Sequence, residues 1–231
     1  RIMKKMRKRA ILLTLALALA VVFAGVAGSG KALAASEDER ILEGVYMGNI
    51  SLAGMTADEA KTAVGAFVEE LKLKNVTFGA VGDHYVVVTA GDLGLKWENE
   101  QDIDAAVALG KKGNIVKRYK AIQDLKHGNK VYDLKLSLDK SILKSVLEEQ
   151  CAEYDIPAVN ATLKRENGVF TIVEGQTGLS VNVDESVNKI YDYLTKGWDY
   201  QDASIDLVIV ETIPKGNEDD LAKVKDVLGT F

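Results

Sequence analysis

Apolar residues in this chain follow two spacings, and the order in which those spacings occur repeats. Glu43 to Leu52 alternates and ends at Gly54, which predicts a strand. Ala60, Val64, Phe67, Val68 and Leu71 then fall at helical spacing behind Thr56-Ala57-Asp58-Glu59, a capping box. Lys74 to Ala80 and His84 to Thr89 are extended runs around Gly82-Asp83 and predict a hairpin. Leu93 to Trp97 reads as a short strand, and Glu100 to Leu109 as a helix ended by Gly110 or Gly113. Asn114 to Lys126 reads as a helix with Ile115, Tyr119, Ile122 and Leu125 on one side.

The order then begins again. Val131 to Leu138 alternates as a strand, and Asp139 caps a helix that turns Ile142, Leu143, Val146 and Leu147 inward. Val159 to Lys164 and Val169 to Val173 flank Asn167-Gly168, a strong short turn signal. Leu179 to Val183 predicts a strand. Asp184 caps a helix carrying Val187, Ile190, Tyr191 and Leu194. Ser204 to Val210 and Glu218 to Leu228 predict one more strand and one more helix.

The repeat is visible in the letters as well. Val45-Tyr46-Met47-Gly48-Asn49-Ile50-Ser51-Leu52 returns as Val131-Tyr132-Asp133-Leu134-Lys135-Leu136-Ser137-Leu138, and Gly94-Leu95 as Gly178-Leu179. A repeat of this length implies a duplicated small unit. The expected fold class is α+β, as two tandem repeats of strand, helix, hairpin, strand and helix. Their sheets are mostly antiparallel, with helices packed on one face. The expected divisions are residues 1–34 as a signal or anchor, 35–42 as a linker, 43–130 and 131–212 as the two modules, and 213–231 as a linker and helix.

Charge adds a direction. Residues 1–9 carry six Lys or Arg, and Ala10 to Gly28 carries no charge. Ala32-Leu33-Ala34 has small residues where a signal peptidase reads, so cleavage after Ala34 fits. The uncharged run is longer than the ~7–15 residues of a signal core and reaches the roughly 17–25 that span a bilayer. A cleaved signal and an uncleaved membrane anchor both stay open, and either exports the rest of the chain. The sole cysteine is Cys151, so neither a lipid-anchored cysteine at the cleavage site nor an internal disulfide is available. Residues 35–231 hold 22 basic and 34 acidic residues, a net charge of −12. Such a body lacks the basic footprint of a nucleic-acid binder.

Candidate chemistry is sparse. Cys151 would need a base brought to it in space, and neither His84 nor His127 lies near it in sequence. Carboxylates gather at predicted helix starts, where capping and the helix dipole explain them. No His, Cys and carboxylate spacing suggests a metal, and no motif suggests a cofactor. No catalytic residue is assigned. Exposed aromatic residues are what glycan binders use, which makes Trp198, Tyr200 and Trp97 the ligand-binding candidates. Trp97 aligns with Val181 of the other repeat and suits core packing. Trp198 and Tyr200 follow Gly197 in a loop and suit a surface.

The run Gly44 to Ala60, with Val45-Tyr46-Met47-Gly48-Asn49-Ile50-Ser51-Leu52 and Gly54-Met55-Thr56-Ala57-Asp58-Glu59, resembles the opening of VanW-like proteins of Gram-positive bacteria. Leu109 to Asn114 and Ala161 to Gly178 are similar to the same family, and Leu221 to Phe231 looks like the approach to its VanW domain. The resemblance implies a signal or anchor followed by modules described as peptidoglycan-binding. Similar modules also precede the catalytic domain of some L,D-transpeptidases.

Together these readings predict a noncatalytic, extracytoplasmic fragment, associated with the cell wall or membrane, or secreted if the signal is cut. It would recognise peptidoglycan or another wall glycan, or position a downstream VanW-type domain, and would not bind nucleic acid. Its alternatives are the stalk of an L,D-transpeptidase or other wall-modifying enzyme, and a spacer or protein-interaction arm.

Overall fold

Thr56 begins the first helix as its capping box requires. In the computed structural model, which describes residues 39–167, 169–215 and 221–225, the Thr56 hydroxyl accepts from Glu59 N at 3.3 Å. Glu59 Oε2 accepts in return from Thr56 N at 2.9 Å. Helix α1, Ala57–Lys72, follows and buries Ala60, Val64, Val68 and Leu71 along one stripe. The signal or anchor and the Ala34 cleavage position lie outside the described residues.

Strands β1, Val45–Met47, and β2, Ile50–Ser51, precede it as a tight antiparallel pair, so the expected single strand folds back at Gly48-Asn49. The hairpin of β3, Asn75–Gly79, and β4, Tyr85–Thr89, forms as expected, with Val86 and Val88 inward and Tyr85 and Val87 outward. Strand β5, Lys96–Trp97, leads to α2, Asp102–Ala108, and then to α3, Ile115–His127. Strands β6, Lys130–Tyr132, and β7, Leu136–Ser137, follow.

Helix α4, Lys140–Val146, is capped by Asp139, which accepts from Ser141 N and Ile142 N. It continues through a wider turn, Leu147–Cys151. Leu143 and Leu147 face inward, but Ile142 is 40% exposed, which corrects the expected inward set. The ribbon of β8, Thr162–Glu166, and β9, Val169–Val173, closes over residues 167 and 168, with Asn167 at φ 50°. Strand β10, Gly178–Val181, is followed by α5, Val183–Asp192. Its cap is Asn182, whose side chain accepts from Glu185 N, which corrects the expected Asp184 cap; Asp184 sits in the first turn, where its charge favours the helix dipole. The expected Ser204–Val210 strand is two: β11, Ala203–Asp206, and β12, Ile209–Thr212. Residues 221–225 are helical. The rest of the predicted Glu218–Leu228 helix lies outside the described residues.

The architecture is α+β with small, mostly antiparallel sheets. Two pairings are parallel, and both cross the expected joint at residues 130 and 131. β1 lies beside β6 with Tyr46 opposite Val131. β11 lies along β3, with Ser204 opposite Thr77. Strands are therefore shared between residues 43–130 and the stretch that follows them. A two-stranded ribbon is marginal alone, and the third strand on β3 explains why this hairpin hides Phe78 and Val76 fully. The corresponding β8–β9 ribbon pairs with no further strand among the described residues and stays largely exposed. One continuous apolar core runs from Ile41 to Leu207. Residues 36–231 form one compact unit. Among the described residues no helix is long and apolar enough to cross a membrane.

The repeated Gly-Leu pair meets two different needs. Gly94 sits at φ 74°, a left-handed conformation that favours glycine. Gly178 is instead held close to a neighbouring backbone, because a Cβ there would lie 2.6 Å from Ala158 N.

Candidate functional site

The alternation of the Asp133–Lys140 stretch buries Leu134, Leu136 and Leu138 and leaves Asp133 and Lys135 outside. That stretch lines a cleft of about 990 Å³. Lys96 and Glu98 reach it from either side of Trp97, and Gly48 and Gly94 from turns. The C-terminal end of α5 and the loop after it complete the lining with Tyr191, Leu194, Thr195, Lys196, Trp198 and Tyr200.

The loop is held by its own hydrogen bonds. Trp198 Nε1 donates to Gln201 O at 2.7 Å, and Asp199 Oδ1 accepts from Gln201 N at 3.2 Å. Trp198, expected at a surface, is buried, 7% exposed, at the lining of the cleft. The indole is too apolar to leave in water when the core lies directly beneath it. Tyr200 is half-buried and packs edge-on against Trp198 and Phe67, with ring centroids 5.8 and 5.6 Å apart. Its φ of 64° is unusual for a residue with a side chain and is a local strain held by this packing. Burial pushes its hydroxyl pKa up, and the charge of Asp133 adds to that. Trp97 does not line the cleft. It is half-buried against the core, and its Nε1 donates to Asn99 Oδ1 at 2.9 Å.

Asn99 is the polar hub behind the cleft, and sequence reasoning missed it. Oδ1 also accepts from Lys135 N at 2.9 Å. Nδ2 donates to Asp133 O at 2.7 Å and to Asp102 Oδ2 at 2.8 Å. One amide, only 2% exposed, thus ties β5, α2 and the cleft-lining strand together with its full hydrogen-bonding capacity. An Asn just after an aromatic strand residue carried no signal by itself.

The charges of the cleft are mixed. Lys196 donates to Asp192 at 2.7 Å; the pair holds the carboxyl below its usual range and the amine above its own. Lys140 lies 4.7 Å above the Tyr191 ring and donates to Asn188 Oδ1 at 2.9 Å. Asp139 is held low by the Ser141 hydroxyl first, then by the Ser141 and Ile142 amides and by Lys96. Glu98 accepts from the Ser137 hydroxyl. The Lys135 amine makes no ion pair among the described residues. The cleft therefore offers cations, carboxylates and tyrosine faces side by side, a set suited to gripping a polar ligand that carries both charges.

Cys151 is wholly buried away from this cleft. Burial, then the charges of Asp155 and Glu153, pushes its thiol up to about 11. A thiol so placed stays protonated and is a poor nucleophile. The His84 ring stacks on Tyr154 at 4.3 Å, and His127 ends α3 at the surface. Among the described residues no group of three or more His, Cys, Asp or Glu could hold a metal ion.

A family model described as "Putative peptidoglycan binding domain" matches residues 86–201. That span takes in every cleft residue named above except Gly48. None of the curated proteins matches the chain. Two solved structures are similar to it. One is titled the Ldtfm–avibactam carbamoyl enzyme: 11% identity over 64% of this chain and 45% of that one, TM-score 0.35. The other is a cysteine-to-serine mutant of an Enterococcus faecium L,D-transpeptidase: 11% identity over 63% and 44%, TM-score 0.34. The chain spans less than half the length of either.

Proposed function

The chain belongs to the peptidoglycan-binding domain family, and from that premise we propose that the cleft along Asp133–Lys140 is where the wall polymer is held. The observation that carries this reading is the meeting, in one cleft of about 990 Å³, of Tyr200 with the Lys135 amine and the Asp133 carboxylate. Peptidoglycan presents sugar rings with apolar faces beside short peptides that carry free carboxylates and amines. Tyr200 and Tyr191 offer faces and edges to the former. Lys135 and Lys96 answer stem carboxylates, and Glu98 and Asp133 answer stem amines. The strained Tyr200 backbone supports the same reading, because strain of about 1–3 kcal/mol at a ligand-facing residue persists only when its surroundings impose it.

The role is holding, not chemistry: the thiol of Cys151 is buried, protonated and not among the residues that line the cleft. In a protein where a VanW-type domain accompanies these modules, as the resemblance of residues 44–60 implies, binding here positions that domain within the wall. The exported body would then work at the cell wall.

Retention of residues 36–231 on purified peptidoglycan tests the proposal. The chain should be retained well above a control protein of equal negative charge. Tyr200→Ala and Lys135→Glu should each weaken retention by about tenfold, the loss of one good contact. No retention of the parent chain, or full retention of both variants, overturns the assignment of the cleft.

A further inference from the structure

Helix α3 breaks the pattern of every other long helix in the fold. It spans 13 residues and buries none of them. Ile115 is 73% exposed, Val116 70% and Tyr119 65%, and at their spacing they share one broad side of the helix. Its start is well formed: Asn114 Oδ1 accepts from Lys117 N at 2.9 Å. Leu125 rests against the core, while Ile115, Val116 and Tyr119 are presented by a capped helix and left exposed among the described residues.

The charge around it is equally out of character. Residues 111–130 carry seven Lys or Arg and one acid, Asp124, in a body of net charge −12. None of Lys117, Arg118, Lys120 and Lys126 makes an ion pair among the described residues. A basic helix with an exposed apolar side is the form that lies in a membrane interface. The segment before the helix is fixed to the body: the Lys111 amine donates to Arg40 O, and a Cβ at Gly110 would lie 2.7 Å from Leu42.

The geometry points to α3 as a membrane-surface helix: Ile115, Val116 and Tyr119 enter the interface of an anionic bilayer while Lys117, Arg118 and Lys120 meet its phosphates. A second copy of this chain is a poor occupant, because it would bring two clusters of seven cations together. A soluble polyanion satisfies the cations and leaves the apolar side in water. Anionic lipid satisfies both.

Co-sedimentation with vesicles decides it, using residues 36–231, which hold a continuous core of their own and omit the uncharged run. Vesicles of phosphatidylglycerol with phosphatidylcholine should bind the chain, and phosphatidylcholine alone should not. Added salt should weaken binding. Arg118→Glu combined with Lys120→Glu should weaken it by roughly tenfold or more. Val116→Ser combined with Tyr119→Ser should weaken it by about tenfold through lost apolar insertion. All four side chains are exposed, so unfolding curves should match the parent. In a Tyr119→Trp variant, the added emission should shift to the blue on anionic vesicles. Equal binding to neutral vesicles, no binding to anionic ones, or binding untouched by both double variants overturns the inference. So does stronger binding to soluble polyphosphate than to vesicles with the Val116 and Tyr119 variants unaffected, which would make α3 a polyanion site. The cleft variant Lys135→Glu should leave vesicle binding unchanged, so failure here is separate from failure of the wall-binding reading.

Discussion

Removing the Asn99 amide should loosen the cleft from behind. Asn99→Ala strips hydrogen bonds from Trp97 Nε1, Lys135 N and Asp133 O, together with one to the Asp102 carboxylate. Asp102 is only half-buried and regains water. The other three partners are screened in part, and at about 1 kcal/mol net for each the loss is roughly 3 kcal/mol. Asn99→Asp is a sharper perturbation, because it keeps the shape and both accepting bonds. It places an oxygen where Nδ2 now stands, 2.8 Å from Asp102 Oδ2 and 2.7 Å from Asp133 O. Two carboxylates so close cannot both ionise cheaply, so the new group's folded pKa rises above its unfolded value of about 3.9. Its charge penalty is therefore absent below that value and grows as pH rises through it toward the folded pKa. Urea unfolding followed by tryptophan emission, at neutral and at acidic pH, reads both effects. Asn99→Asp should be the less stable variant at neutral pH and should recover relative to Asn99→Ala on acidification. A pH-independent gap between the two, or a cost for Asn99→Ala under about 0.5 kcal/mol, would refute the hub.

Three further outcomes can be checked in the same preparations. Gly94→Ala should lower stability by about 1–3 kcal/mol, since it strains a left-handed backbone and sets a Cβ 3.0 Å from Asp139 Cβ; thermal unfolding measures it, and a neutral result would contradict the geometry. Thr56→Ala should cost ~1 kcal/mol through the lost cap, and Thr56→Ser should restore most of it in denaturant melts. Cys151 should resist a thiol reagent in the folded chain and react once urea unfolds it. Because its folded pKa of about 11 lies above the unfolded one, its burial favours folding fully below the unfolded pKa and loses that contribution as pH rises through about 11; rapid labelling of the native chain at neutral pH would show that the burial is wrong.

Local chemistry made several elements legible in the letters. The capping box at Thr56, the hairpin around Gly82-Asp83 and the turn at Asn167 depend on neighbours within a few residues. The α+β class and the buried positions of α1 and α5 follow from apolar spacing in the same way. Helix α3 was legible as a helix and misleading as to its face: periodicity reports that Ile115, Tyr119 and Ile122 share a side, but cannot say whether that side meets protein. Trp198 shows the opposite error, a loop residue buried because the core happened to lie beneath the loop.

What the sequence by itself determined is therefore the α+β class, most of the elements, and the acid excess of residues 35–231. Which strands pair was decided only by the tertiary structure. The register of β1 on β6 and of β11 on β3 is set between segments 85 and 127 residues apart, where no local signal reaches. The cleft belongs to the same level, because Lys135, Tyr191 and Tyr200 come together only after those strands have closed one core, and so does Asn99, whose value lies wholly in the four groups the fold brings around it.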